Sequence, residues 1–161
     1  MGIRLSNRTR HAIVAGFGAS VAICTVAGLA AATKMPWIMA PFGSTAAIMY
    51  GVPGAHFAKP HRVVLGHLLS MSIGIGMYQA FGSAWWSLGL AVGLAIGSML
   101  AFDIFHPPAG ASPLLALVIP LKWSILLMPV LAGSIVMVLV AEAYHFVRLR
   151  LEPDDPDPST G

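Results

Sequence analysis

The stretch VVLGHLLSMSIGIGMYQAFGSAWWSLGLAVGLAIGSMLAF, residues 63–102, contains no Asp, Glu, Lys or Arg. A soluble domain spends about a quarter of its residues on those four types. The run is also twice the roughly 20 residues that one helix needs to cross the hydrocarbon core of a bilayer. Phe81-Gly82-Ser83-Ala84 offers a break inside it, so the stretch predicts two consecutive membrane helices, near 61–81 and 85–105.

The rest of the 161-residue chain extends that reading, with 57% hydrophobic residues and 15 formal charges. Three charges precede residue 11 (Arg4, Arg8, Arg10), seven lie from Glu142 onward, and only Lys34, Lys59, Arg62, Asp103 and Lys122 fall between. Residues 12–32 form a further charge-free run between arginines and Lys34. Ala30-Ala31-Ala32 imitates a signal-peptide processing site, but the apolar run exceeds the usual 7 to 15 residues of such a segment, which favours a retained membrane helix. A fourth long segment covers about 123–146, with Pro129 expected to kink its first turns. The last residues, LEPDDPDPSTG from Leu151, read as an unstructured acidic tail.

Two shorter apolar stretches remain, 36–52 (PWIMAPFGSTAAIMYGV) and 107–121 (PPAGASPLLALVIPL), each too short and too interrupted for a comfortable full span. They resemble one another. With Pro41 set against Pro108, Gly43 pairs with Gly110, Thr45 pairs with Ser112, and both stretches close on proline, at Pro53 and Pro120. The fold class expected is therefore an all-α membrane protein. It has four long transmembrane helices and two short broken segments, arranged as two repeats, 11–82 and 83–146. A basic segment (1–10) precedes this domain and a disordered tail (147–161) follows it, both cytoplasmic.

Charge placement favours inverted repeats. If the short segments only dip into the membrane, Lys and Arg divide five inside against four outside; if they cross, the division is seven against two. The positive-inside rule selects the second, with both termini in the cytoplasm of a bacterial-type inner membrane. Trp37, Trp85, Trp86 and Trp123 would then all lie near the outer interface, where tryptophan is enriched. Paired broken helices in inverted repeats are the architecture that builds a substrate site at the midplane. Small residues recur every fourth position along Ala12-Gly16-Ser20-Cys24-Gly28-Ala32, Gly66-Ser70-Gly74 and Gly89-Gly93-Gly97-Ala101. Such ridges let helices approach closely in lipid, within the chain or between copies in a homo-oligomer.

Several chemistries drop out. The single cysteine, Cys24, excludes an intramolecular disulfide and a multi-cysteine zinc site. The basic residues flank apolar runs rather than forming a patch with interleaved aromatics, which argues against nucleic acid. No phosphate-binding loop, nucleophile elbow, HExxH or dinucleotide fingerprint is present, so neither an enzyme nor a cofactor is expected.

Three ionisable residues stand out within the body. Asp103 is the only acid between residues 1 and 141, near a helix end, and reads either as an interfacial or capping residue or as a proton or ion site. His67 lies beside the Gly66-Ser70-Gly74 ridge and so should face other helices; an intramembrane ionisable group is a functional candidate by default. His106 opens HPPAGAS, where Pro107 and Pro108 stop one helix and a new one can begin near Gly110, with free amides suited to an anion. The stretch Gly43-Ser44-Thr45 offers a second such end. His67, Asp103 and His106 match no metal-ligand spacing.

At HPPAGAS the sequence resembles the HPP family of integral membrane proteins, named for the motif at His106, Pro107 and Pro108. The likeness also runs through APFGSTAAIMY and KPHRVVLGHLLSMSIG, and covers about residues 11–146. It implies a small protein, usually described with four transmembrane helices, and a transporter role; chloroplast and cyanobacterial members are associated with nitrite. By motif, Gly66, His67, His106, Pro107, Pro108, Gly110 and Ala111 carry over. Asp103 and Ser112 depart from the family pattern, and an acid beside an anion site would be unfavourable. The expected function is transport of a small inorganic anion, nitrite-like. Gly43, Ser44, Thr45, His67, His106, Pro107, Pro108, Gly110, Ala111 and Ser112 would form the binding site, and Asp103, His67 and His106 are the candidates for proton or ion coupling. A membrane scaffold or regulatory subunit, or an intramembrane metal-binding protein, are the alternatives.

Overall fold

The computed structural model describes residues 6–119 and 121–151. Among these it contains helices α1 (Asn7–Thr33), α2 (Pro41–Gly51), α3 (Pro60–Phe81), α4 (Trp85–Ala101), α5 (Ser112–Val118) and α6 (Ala132–Leu151), and no strand. Short turns of 3-10 helix at His56–Ala58, Pro107–Ala111 and Trp123–Leu126 join them. Three helical stretches, Asn7–Thr33, Pro60–Phe81 and Trp123–Arg150, are long and apolar enough to cross a membrane. With 17 residues, α4 extends only about 25 Å.

Several boundaries differ from expectation. The helix expected over 85–105 ends at Ala101, because the chain turns sharply at Asp103, whose φ is 55°. There the Asp103 N–H reaches back to the Leu100 carbonyl at 3.2 Å and the Ile104 N–H to the Met99 carbonyl at 2.9 Å. This is the left-handed helix stop normally supplied by glycine, a position that Asp tolerates better than most side chains. At the other termini helix runs further than expected. Ser6 caps α1 by accepting from the Thr9 N–H, so Arg8 and Arg10 are already helical. Helix α6 continues past residue 146 to Leu151, with Arg148 and Arg150 in its last turn, where cations suit the helix dipole. The remainder of the expected tail, 152–161, and residues 1–5 lie outside the described residues. The break anticipated near Pro129 is present, with Met128 extended at φ −150°, ψ 123°.

Close contacts fix the directions of the helices. A methyl on Gly66 would meet His106, one on Gly74 would meet Pro113 and Ala116, and Ser70 bonds to Ala109, so α3 and α5 run parallel. At one end of α2, Phe42 meets Gly133 at the start of α6; at its other end the Met49 carbonyl accepts from His145. Helices α2 and α6 therefore also run parallel. The His11 ring reaches the Gly51 carbonyl at 3.0 Å, bringing the start of α1 to the end of α2.

Of the three small-residue ridges, only Gly66-Ser70-Gly74 faces inward. In α1 the buried residues are Gly18, Ala22 and Val26, and in α4 they are Ser87, Ala91, Ala95 and Met99. Each set is offset by two residues, about half a turn, from the ridge read in the sequence. These helices carry small residues at four-residue spacing on both faces, so spacing alone does not choose the buried one. No atom lies within 4 Å of where a side chain would start at Gly16, Gly28, Gly89, Gly93 or Gly97. Around this frame Phe17, Leu90, Leu94, Leu100, Leu139 and Phe146 are exposed, as lipid-facing residues should be.

Candidate functional site

The site begins with α2, where Pro41 starts the helix and Phe42, Thr45, Ala46, Met49 and Tyr50 form its buried face. The same periodicity that buries apolar side chains brings Thr45 to the middle of α3. Beyond the stop of α4 at Asp103, Pro107 and Pro108 keep a regular α-helix from resuming at once, and the chain re-enters the bundle as the Pro107–Ala111 turn. The Ser70 hydroxyl holds that turn by donating to the Ala109 carbonyl at 2.6 Å, while Pro113 lies against Gly74. Ser112, at the start of α5, thereby reaches the opposite side of His67 from Thr45.

Four side chains with no exposed surface meet here: Thr45, His67, His106 and Ser112. Thr45 Oγ1 lies 2.9 Å from His67 Nε2 and 3.0 Å from His106 Nε2. His67 Nδ1 lies 3.2 Å from Ser112 Oγ, and His106 Nδ1 lies 2.8 Å from the Phe57 carbonyl oxygen. The imidazole centroids are 5.2 Å apart, and the Phe42 ring packs edge-on against His67 at 5.5 Å.

These contacts determine where the protons sit when both rings are neutral. A carbonyl only accepts, so His106 donates from Nδ1 and its Nε2 must accept. The Thr45 hydroxyl therefore donates to His106 and accepts from His67 Nε2–H. His67 Nδ1 is left to accept from Ser112. Every bond then points the same way, from Ser112 through His67, Thr45 and His106 to Phe57, with none unsatisfied.

The sequence expectations divide on this geometry. Thr45, His67, His106 and Ser112 come together, and Pro107 and Pro108 shape the turn that places two of them. Gly43 and Ala111 are exposed, and Ser44 turns its hydroxyl back to the Pro41 carbonyl. Ser44 and Ala111 instead line an open groove between α2 and α5, shared with Ala40, Leu114 and Val118. Gly110 faces the Ile96 side chain on α4. The amides of Phe42, Gly43 and Ala109 already donate to the Met39, Ala40 and His106 carbonyls. The polar groups at the centre are thus hydroxyls and imidazoles rather than helix-end amides.

Asp103 faces away from the centre. Its carboxylate takes a 2.6 Å bond from Arg62 Nη2 and lies 3.8 Å from His56 Nε2, at the end of the bundle where α3 starts and α4 stops. The Arg62 hydrogen bond holds the Asp103 carboxyl below the usual carboxylate range. His67, Asp103 and His106 do not converge, and among the described residues no group of three or more His, Cys, Asp or Glu could hold a metal ion. Sequence reasoning missed the Phe57 carbonyl, which carries no side-chain signal, and the pairing of Arg62 with Asp103. Those two are opposite charges near the ends of adjacent helices, a signal that was present in the sequence.

The chain is 29% identical to a transmembrane protein of Dictyostelium discoideum over 129 residues, 74% of this chain and 45% of that protein. A second transmembrane protein of the same organism is 29% identical over 126 residues, 73% of this chain and 40% of its own length. The chain thus spans less than half the length of these curated relatives. No solved structure matches it. Residues 5–153 match the description of the HPP transmembrane region, which includes every residue of the buried centre, and the chain belongs to the HPP family of integral membrane proteins.

Proposed function

We propose that this HPP protein is a transporter or channel for a small inorganic anion, nitrite-like, which crosses the membrane past the His67 centre. The observation that carries the reading is the meeting of Thr45, His67, His106 and Ser112, four hydrogen-bonding side chains from separate parts of the chain, in a membrane-embedded interior. Polar groups in such an interior are expensive and mark pathways. Hydroxyl and imidazole donors can turn toward a small anion, and the pairing of Asp103 with Arg62 removes the acid that would oppose one.

The arrangement of two inverted halves belongs to the same reading. Two facts support it: Thr45 and Ser112, matched in the sequence alignment of the halves, contact the two nitrogens of one imidazole, and α2 parallels α6 as α5 parallels α3. With α4 taken as a fourth, thinner span, both termini lie in the cytoplasm of an inner membrane, as the distribution of Lys and Arg favours. The uncovered Gly89-Gly93-Gly97 face suits self-association. The protein carries out no covalent chemistry and needs no cofactor in this reading.

Purified protein in liposomes should pass nitrite, and Ser112→Ala should lower the initial rate several-fold. Wild-type flux no greater than that of empty liposomes, or undiminished flux in the variant, would refute the proposal. Absence of flux together with a partner retained through gentle purification would favour a scaffold instead.

A further inference from the structure

We propose that the Thr45 hydroxyl relays a proton between His67 and His106, so that the buried chain moves protons as well as joining helices. Coupling of this movement to an anion rests on the function proposed above; the proton movement itself does not.

The geometry allows the transfer without displacing a heavy atom. With an excess proton on His67, the ring carries Nδ1–H, donating to Ser112 Oγ, and Nε2–H, donating to Thr45 Oγ1. The Nε2 proton passes to the Thr45 oxygen as the Thr45 hydroxyl proton passes to His106 Nε2. Thr45 ends with one proton, as it began. His67 keeps Nδ1–H and now accepts at Nε2, while His106 carries protons on both nitrogens, with Nδ1–H still on the Phe57 carbonyl. One N–H and one O–H bond break, one of each forms, and every group remains hydrogen-bonded in both states. The two distances that matter, 2.9 and 3.0 Å, meet at a single oxygen.

A purely structural role explains less. Closing this interior with apolar side chains would be cheaper than burying two imidazoles around one hydroxyl, because each buried polar group must be fully satisfied. Here the satisfaction survives relocation of the charge, which packing does not require. The Phe57 end of the chain lies in the His56–Ala58 turn, next to the largely exposed His56.

Titratable and charged groups on the elements around the pair are Tyr50 on α2, His56 and Lys59 in the connecting turn, and His61, Arg62 and Tyr78 on α3. Asp103 follows α4, and Glu142, Tyr144, His145, Arg148 and Arg150 lie on α6. Arg62 and Asp103 are engaged with each other and His145 with the Met49 carbonyl. Among the described residues the hydrogen bonds of the two rings go to Thr45, Ser112 and Phe57.

The test uses the full chain in liposomes holding a pH-sensitive dye, with a potassium diffusion potential as driving force and no nitrite. Wild-type protein should carry protons well above the empty-liposome rate. Thr45→Val, which keeps the shape and removes the hydroxyl, should return the rate to that baseline, and Thr45→Ser should retain at least half. Wild-type flux at baseline, or unchanged flux in Thr45→Val, would overturn the relay. Should Thr45→Val fail to fold, nitrogen NMR of the wild type decides: His67 protonated at Nε2 and His106 at Nδ1 supports the relay, and any other tautomer pair overturns it. Nitrite flux without proton flux would overturn the relay and leave the anion reading standing. Proton flux without nitrite flux would do the reverse.

Discussion

Gly74 and Gly133 are positions where a single methyl group would push two segments apart. A side chain begun at Gly74 would stand 2.6 Å from the Pro113 Cα, and one at Gly133 would stand 2.9 Å from the Trp37 carbonyl oxygen, so backbone must give way. Gly74→Ala should therefore destabilise the protein by about 1–3 kcal/mol, the usual result of overpacking. Because Pro113 follows Ser112, the same change should loosen the Ser112–His67 bond. Gly110→Ala meets only the Ile96 side chain at 3.6 Å, and Gly93→Ala meets nothing within 4 Å. Thermal unfolding in detergent checks this: the midpoint should fall for Gly74→Ala and stay within a degree or so for the other two. Equal midpoints would mean that α3 and α5 are not in contact. The sequence made His67 and His106 legible as candidates, since histidine in a charge-free run stands out. Gly66-Ser70-Gly74 likewise marked a close approach. What could not be read was which glycine ridge faces inward, because α1 and α4 carry small residues on two faces and burial depends on tertiary packing.

At the scale of elements, the turn between α4 and α5 shows how one residue serves two purposes. Asp103 ends α4 in a left-handed conformation and ties that end to the start of α3 through Arg62, a side chain only 3% exposed. Its carboxyl titrates below the ordinary range because Arg62 bonds the charged form. The sign follows: a depressed folded-state pKa adds stability above the unfolded value, and this is lost as pH falls through the folded value. With the carboxylate largely exposed, the effect should be small and confined to acidic pH. Asp103→Gly should remove this acid-side dependence while preserving the turn, whereas Asp103→Ala should lose the ion pair and also strain the backbone, by about 1 kcal/mol for the left-handed residue. Melting temperatures of the three proteins between neutral and acidic pH separate the contributions; an undiminished acid response in Asp103→Gly would assign it to other groups. The sequence placed this element break, since consecutive prolines cannot continue a helix. It set the helix end four residues too late, because proline marks where helix is impossible and not where a left-handed residue has already stopped it.

For the molecule as a whole, the test is which segments cross. The start of α1, the end of α2 and the later part of α6 are joined by His11–Gly51 and His145–Met49. Trp123 bonds Gln79 at 3.1 Å, bringing the end of α3 to the entry of the α6 region. Since α3 and α6 both leave that shared level in opposite chain directions, the α3 start and the α6 end lie together at the far side, with the 52–59 connection between α2 and α3. In a Cys24→Ser background, single cysteines at Ala55 and Ser83 should react with a membrane-impermeant maleimide from opposite faces. Ala55 should share its face with the N-terminal residues. Labelling of Ala55 and Ser83 from one face would mean that α3 does not span, and would remove the inverted arrangement together with the midplane position of His67. Labelling from opposite faces, with Ala55 on the cytoplasmic one, would carry Lys59 and Arg62 inside and satisfy the positive-inside rule by seven residues to two.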